Sequence, residues 1–198
     1  MRGEDNETTQ GCACSARQTR REVLALASAV GIEIAAGVAP ASADPADERP
    51  KPGDHLVPIE GSEPPRPLTP ADVPKMPLLA WPMDPKDGVV RNGSRLNRVL
   101  LVALDPATLE GPTRDRAASG VVAYSAICTH QGCEVTRWVA DSDLLECPCH
   151  ESRYNPRDGA AVIDGPAPRP LPALPLAVAD GKLVVAKPFI GRPGVIPT

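Results

Sequence analysis

The sequence predicts an all-β protein of antiparallel strands. Three observations predict it. Residues 97–104 and 120–127 are rich in Val, Leu and Ile and bounded by Gly, Pro, Asp and Asn, as strands are. Residues 176–185 alternate on either side of Asp180-Gly181, the pattern of a hairpin closed by a two-residue type I′ turn. No long helical period occurs after residue 44.

The length of 198 residues fits one domain with appended segments. With 25 Pro and 16 Gly, many turns are expected between the strands. The aromatics are few (Trp81, Trp138, Tyr124, Tyr154 and Phe189), so the core must be aliphatic, and such a core gains from covalent or metal staples. The net charge is −4 and no basic stripe is interleaved with aromatics, so no nucleic-acid partner is expected.

Residues 1–43 read as an export signal. Arg20-Arg21 precedes an apolar stretch of small residues that reaches Ala39, and Ala41-Ser42-Ala43 offers a cleavage site. The paired Arg resembles a twin-arginine signal, although Val23 stands where such signals usually carry Phe or Leu. The expected result is cleavage after Ala43 and a periplasmic protein, or one on the periplasmic face of the inner membrane. The alternative is a retained anchor with membrane contact, since residues 23–43 are just long enough to span. Glu33 would then sit mid-span at a cost of about 2.5 to 3.5 kcal/mol. Cys12 and Cys14 lie upstream, without nearby partners for a metal.

Residues 44–80 are Pro-rich and aperiodic, densest at Pro64-Pro65-Arg66-Pro67, and are expected to form a linker or wrapping arm. His55 in that arm is given no role. The β domain is expected over 81–198.

The chemistry lies in Cys128-Thr129-His130-Gln131-Gly132-Cys133 and Cys147-Pro148-Cys149-His150, with sixteen residues between His130 and Cys147. A strand leads into the first motif and Leu144-Leu145 into the second, so two hairpin-like loops could meet at their tips. Thiolates and imidazoles would then converge. Two Cys and two His also permit structural zinc, which tolerates many spacings.

These residues resemble the Rieske proteins of cytochrome bc-type complexes, whose loops read C-T-H-x-G-C and C-P-C-H-x-S. Every fixed position matches, and the resemblance covers about residues 95–187. It implies the Rieske fold, an antiparallel β sandwich or barrel base with a small cluster-binding subdomain of two loops at about 126–170, and one 2Fe-2S cluster, with Cys128 and Cys147 on one iron, His130 and His150 on the other, and a Cys133–Cys149 disulfide. Ser152 and Tyr154 match the family's hydrogen-bond donors to a bridging sulfide and to a cysteine ligand. Gly165-Pro166-Ala167-Pro168 matches the Pro-rich loop that covers the cluster. Zinc would leave Cys133, Cys149, Ser152 and Tyr154 unexplained. Imidazole in place of two thiolates raises the potential to about −150 to +300 mV, against about −400 mV for plant-type ferredoxins. A disulfide needs an oxidising compartment, in agreement with the export signal. The departure is Glu151, where the family most often has Gly, beside the exposed His ligand.

The resemblance implies one-electron transfer by a subunit of an oxidoreductase rather than a catalyst alone. In a quinol–cytochrome c reductase-like complex the chain would join a cytochrome b-like subunit, meet quinol at His150 and deliver electrons to a c-type cytochrome. A second class is the small subunit of a periplasmic molybdenum oxidoreductase such as arsenite oxidase, which a cleaved signal and the insertion at 105–119 resemble. A free periplasmic carrier is the third. The ligand motif does not separate them.

Overall fold

The computed structural model describes residues 44–61 and 64–196. The segment read as an export signal lies outside them. Among the described residues no helix is long and apolar enough to cross a membrane.

The described chain is built on two antiparallel sheets. The larger has six strands: β1 (His55–Pro58), β2 (Leu78–Met83), β3 (Val99–Ala103), β4 (Val121–Ser125), β9 (Leu176–Ala179) and β10 (Lys182–Val185), in the order β4-β3-β2-β1-β10-β9. The smaller has β5 (Arg137–Val139), β6 (Leu144–Glu146), β7 (Arg153–Asn155) and β8 (Ala161–Asp164), in chain order. A single short helix, α1 (Gly111–Arg116), is the only α-helix among the described residues.

The unbroken apolar runs at β3 and β4 follow from burial on both faces. Alternate side chains belong to different cores: Leu100, Val102, Val122 and Tyr124 pack toward the small sheet, whereas Val99, Leu101, Val121 and Ala123 pack with Leu56, Leu174 and Leu183. The large sheet curls until its β4 edge meets the chain entering β9. Ser125 N–H donates to Pro172 O (2.8 Å) and Leu174 N–H to Ala123 O (2.9 Å), closing a half-barrel.

The β9–β10 hairpin turns at Asp180-Gly181, with Ala179 opposite Lys182. Both turn residues have positive φ, +49° and +73°, as a type I′ turn requires.

Residues 44–80, expected to form a linker or wrapping arm, contain β1 and the start of β2, so strand structure begins before Trp81. β1 sits inside the large sheet between β2 and β10, and its Leu56 and Val57 are buried. A strand of four residues that ends on a proline carries too little alternation to show in the sequence. The segment before it is tied down through Arg91, whose buried guanidinium meets buried Asp54 and the partly exposed Glu48 and Asp84.

The insertion at 105–119 folds as a turn of 3-10 helix (Pro106–Thr108) and α1. It packs on the β7–β8 turn: Gly159 N–H donates to Thr113 Oγ1 (2.7 Å) and Glu110 N–H to Arg157 O (3.0 Å).

Candidate metal centre

The end of β4 feeds the first loop, and the β6–β7 connection is the second. Each starts at a buried cysteine and closes in the same way. Cys128 N–H donates to Cys133 O (2.8 Å) while Gly132 N–H returns to Cys128 O (3.1 Å). In the second loop Cys147 N–H donates to Ser152 O (2.9 Å) and Glu151 N–H returns to Cys147 O (3.0 Å). Gly132 and Glu151 hold equivalent positions and both have positive φ, +76° and +56°. Glu151 therefore keeps the same loop geometry as Gly132, at the cost of a left-handed backbone on a residue with a Cβ.

The structure brings the expected site residues together. Cys133 and Cys149 form a disulfide that joins the two loops. Cys128 and Cys147 are free and buried. The His130 and His150 rings meet edge to face, with centroids 4.7 Å apart. Cys147 Sγ also lies within 4.8 Å of both disulfide sulfurs, which, being bonded to each other, offer no thiolate.

The donors are placed as well. Tyr154, buried on β7, sets its hydroxyl 3.2 Å from Cys128 Sγ. Burial pushes the phenol's pKa up, so it keeps its proton and can donate to a thiolate at Cys128. Burial likewise pushes the Cys147 thiol up, and Cys128 beside it adds to the shift, while the N–H groups of Cys149 and His150 aimed at the sulfur oppose it. Ser152 Oγ accepts from Ala167 N–H (3.2 Å), which leaves its own hydroxyl proton free to donate.

The lid at 165–168 is fastened to both loops. Ala167 holds it to Ser152, and Thr129 Oγ1 donates to Arg169 O (2.7 Å) at its far end. Gly165 packs so closely that a Cβ there would stand 2.5 Å from Ser152 Cα. Sequence reasoning gave no role to Thr129 or Arg169. Thr129 stands inside the first motif, so a hydroxyl at a fixed place was the signal; nothing marked Arg169.

Two adjacent buried thiols and two imidazoles in edge contact form a donor set for a dinuclear iron centre. His130 Nδ1 is buried without a hydrogen-bond partner, as a nitrogen reserved for a metal would be. Cys128 and Cys147 would hold one iron, and His130 and His150 the other.

The comparisons agree with this geometry. A family model for the Rieske 2Fe-2S domain matches residues 110–175. The cytochrome bc1 complex Rieske iron-sulfur subunit of Streptomyces lividans is 35% identical over 132 residues, covering 65% of this chain and 76% of that one. The chain belongs to the Rieske family. It is also 44% identical over 77 residues to a putative respiratory nitrate reductase Rieske subunit of Haloferax mediterranei, covering 38% of this chain and 34% of the relative. The cytochrome b6-f iron-sulfur subunit of Chlorobaculum tepidum is 46% identical over 66 residues, covering 33% and 35%. The chain thus spans about a third of these last two relatives. With its loop-joining disulfide, this Rieske domain is of the high-potential type.

Proposed function

We propose that this chain passes single electrons outside the cytoplasm through a Rieske centre, taking them from quinol in a cytochrome bc-like complex and giving them to a c-type cytochrome. A bound 2Fe-2S cluster supplies one reversible electron-accepting site. The protein's part is to bury the cysteine side, exclude water with the lid and present one imidazole outward. Exposed His150, on the tip of the second loop beside exposed Cys149, carries this reading, because electron exchange with a partner needs one bare edge. The bc1 and b6-f relatives support the quinol assignment. The disulfide supports an oxidising compartment, and with it export by residues 1–43.

The test is quinol-dependent cytochrome c reduction in membranes of the native host. Turnover should disappear on deletion of the chain, return with the wild-type chain and fail with His150→Ala. Undiminished turnover in the deletion strain would sink the proposal. The match to a nitrate reductase Rieske subunit favours a second reading, a small subunit of a periplasmic oxidoreductase. In that case the deletion would spare quinol oxidation and abolish electron delivery from or to a molybdenum-type large subunit.

A further inference from the structure

The two loops are not equally covered. His150, Cys149 and Glu151 are exposed; in the first loop only Gln131 is exposed, while His130 is half-buried and Thr129 is buried. Two segments outside both motifs touch the first loop, the end of the lid at Thr129 and residues 191–196 at Gly132.

Arg169 joins these segments. Its carbonyl accepts from the Thr129 hydroxyl in the first loop, and its guanidinium donates to Gly194 O. Gly194 is seated so tightly that a Cβ would stand 2.7 Å from Leu96 Cδ2, and its φ of +80° suits glycine. The next residue, Val195, places Cγ2 3.7 Å from where a Cβ on Gly132 would be. Arg95 donates to Gly132 O. Burial lowers the pKa of the Arg169 guanidinium, Tyr154 opposes the shift and Arg192 adds to it.

We propose that Arg169 is a positioning residue: it locks residues 191–196 as a strap over the first loop, shielding the His130 side and leaving His150 as the face open to a partner. Its side chain acts through Gly194 and its carbonyl holds Thr129 whatever the side chain, without touching the cofactor. The inference rests on reading Cys128, His130, Cys147 and His150 as the cluster site, but its test reads the backbone.

Amide hydrogen exchange would be followed in the full chain as isolated, for wild type, Arg169→Leu and Arg169→Lys. Loss of one charge-assisted hydrogen bond should speed exchange at 129–133 and 192–196 about tenfold or more in Arg169→Leu, with β3 and β4 unchanged. Arg169→Lys, with charge but no planar fork, should fall between. The electron paramagnetic resonance spectrum of reduced Arg169→Leu should also change shape as water reaches the His130 side. Unchanged exchange at 129–133, or an equal rise through β3 and β4, would overturn the proposal. A chain without iron would count against the cluster reading and still give the exchange result.

Discussion

The Tyr154 hydroxyl lies 3.2 Å from Cys128 Sγ where both residues are shut off from solvent, the phenol on β7 and the thiol at the end of the strand region that feeds the first loop. One hydrogen bond thus crosses from the small sheet to the large one at the cysteine expected to bind iron. A donor to that sulfur favours the reduced state, in which the sulfur carries more negative charge.

Tyr154→Phe should therefore lower the midpoint potential while the cluster remains. A net worth of about 1 kcal/mol for one hydrogen bond corresponds to a few tens of millivolts in a one-electron couple. Ser152→Ala should act in the same direction, and because Ala167 N–H loses its acceptor it should also loosen the lid. Potentiometric titration decides both; unchanged potentials would remove the two hydroxyls from the tuning of the centre.

The lid can be tested without replacing a donor. Gly165 has φ +85° and faces Ser152 Cα at 2.5 Å from its missing Cβ, so Gly165→Ala is both strained and obstructed. A cost of about 1 to 3 kcal/mol is expected, concentrated in the lid. The measurable outcome is faster bleaching of the visible absorbance under air, with the far-ultraviolet signal of the sheets retained. Bleaching at the wild-type rate would show that the lid does not protect the site.

Glu151 carries the opposite expectation. Its φ of +56° matches that of Gly132 in the paired loop, so Glu151→Gly should relieve left-handed strain. The gain is at most about 1 kcal/mol, since glycine's larger unfolded-state entropy offsets part of it. Removing an anion beside His150 should also raise the potential. Thermal unfolding and titration of the same sample test both, and a lower unfolding temperature would mean that the Glu151 side chain makes a stabilising contact of its own.

The strands at 99–103 and 121–125 and the 176–185 hairpin were legible in the sequence because each carries its own signal, a doubly buried apolar run or a paired turn. β1 was not, since His55–Pro58 becomes a strand only through its neighbours β2 and β10. At the site, residue types and spacing marked the sulfurs and imidazoles. What holds them was invisible: Arg169 reaches Thr129 and Gly194 across 40 and 25 positions, and no local pattern encodes such contacts.

Arg91 gives a prediction on the base of the fold. Its side chain is 1% exposed and forks onto Asp54, 2% exposed, through Nε (2.7 Å) and Nη2 (3.0 Å), with Glu48 and Asp84 completing the shell. Breaking a buried pair by removing one partner typically costs about 3 to 5 kcal/mol, because the remaining charge is left uncompensated. Here Glu48 and Asp84 still face the guanidinium, so Asp54→Asn should fall at the lower end, about 3 kcal/mol. Replacing both partners, as in Asp54→Leu with Arg91→Met, should recover most of that loss. Denaturant unfolding of the full chain measures each step. The network ties the 44–54 segment to the large sheet and has no residue in either cluster loop, so the reduced-state spectrum of Asp54→Asn should match wild type below the transition. A loss under about 1 kcal/mol would show that water or the other carboxylates already solvate Arg91, whereas an altered spectrum would show that the base and the metal site are coupled.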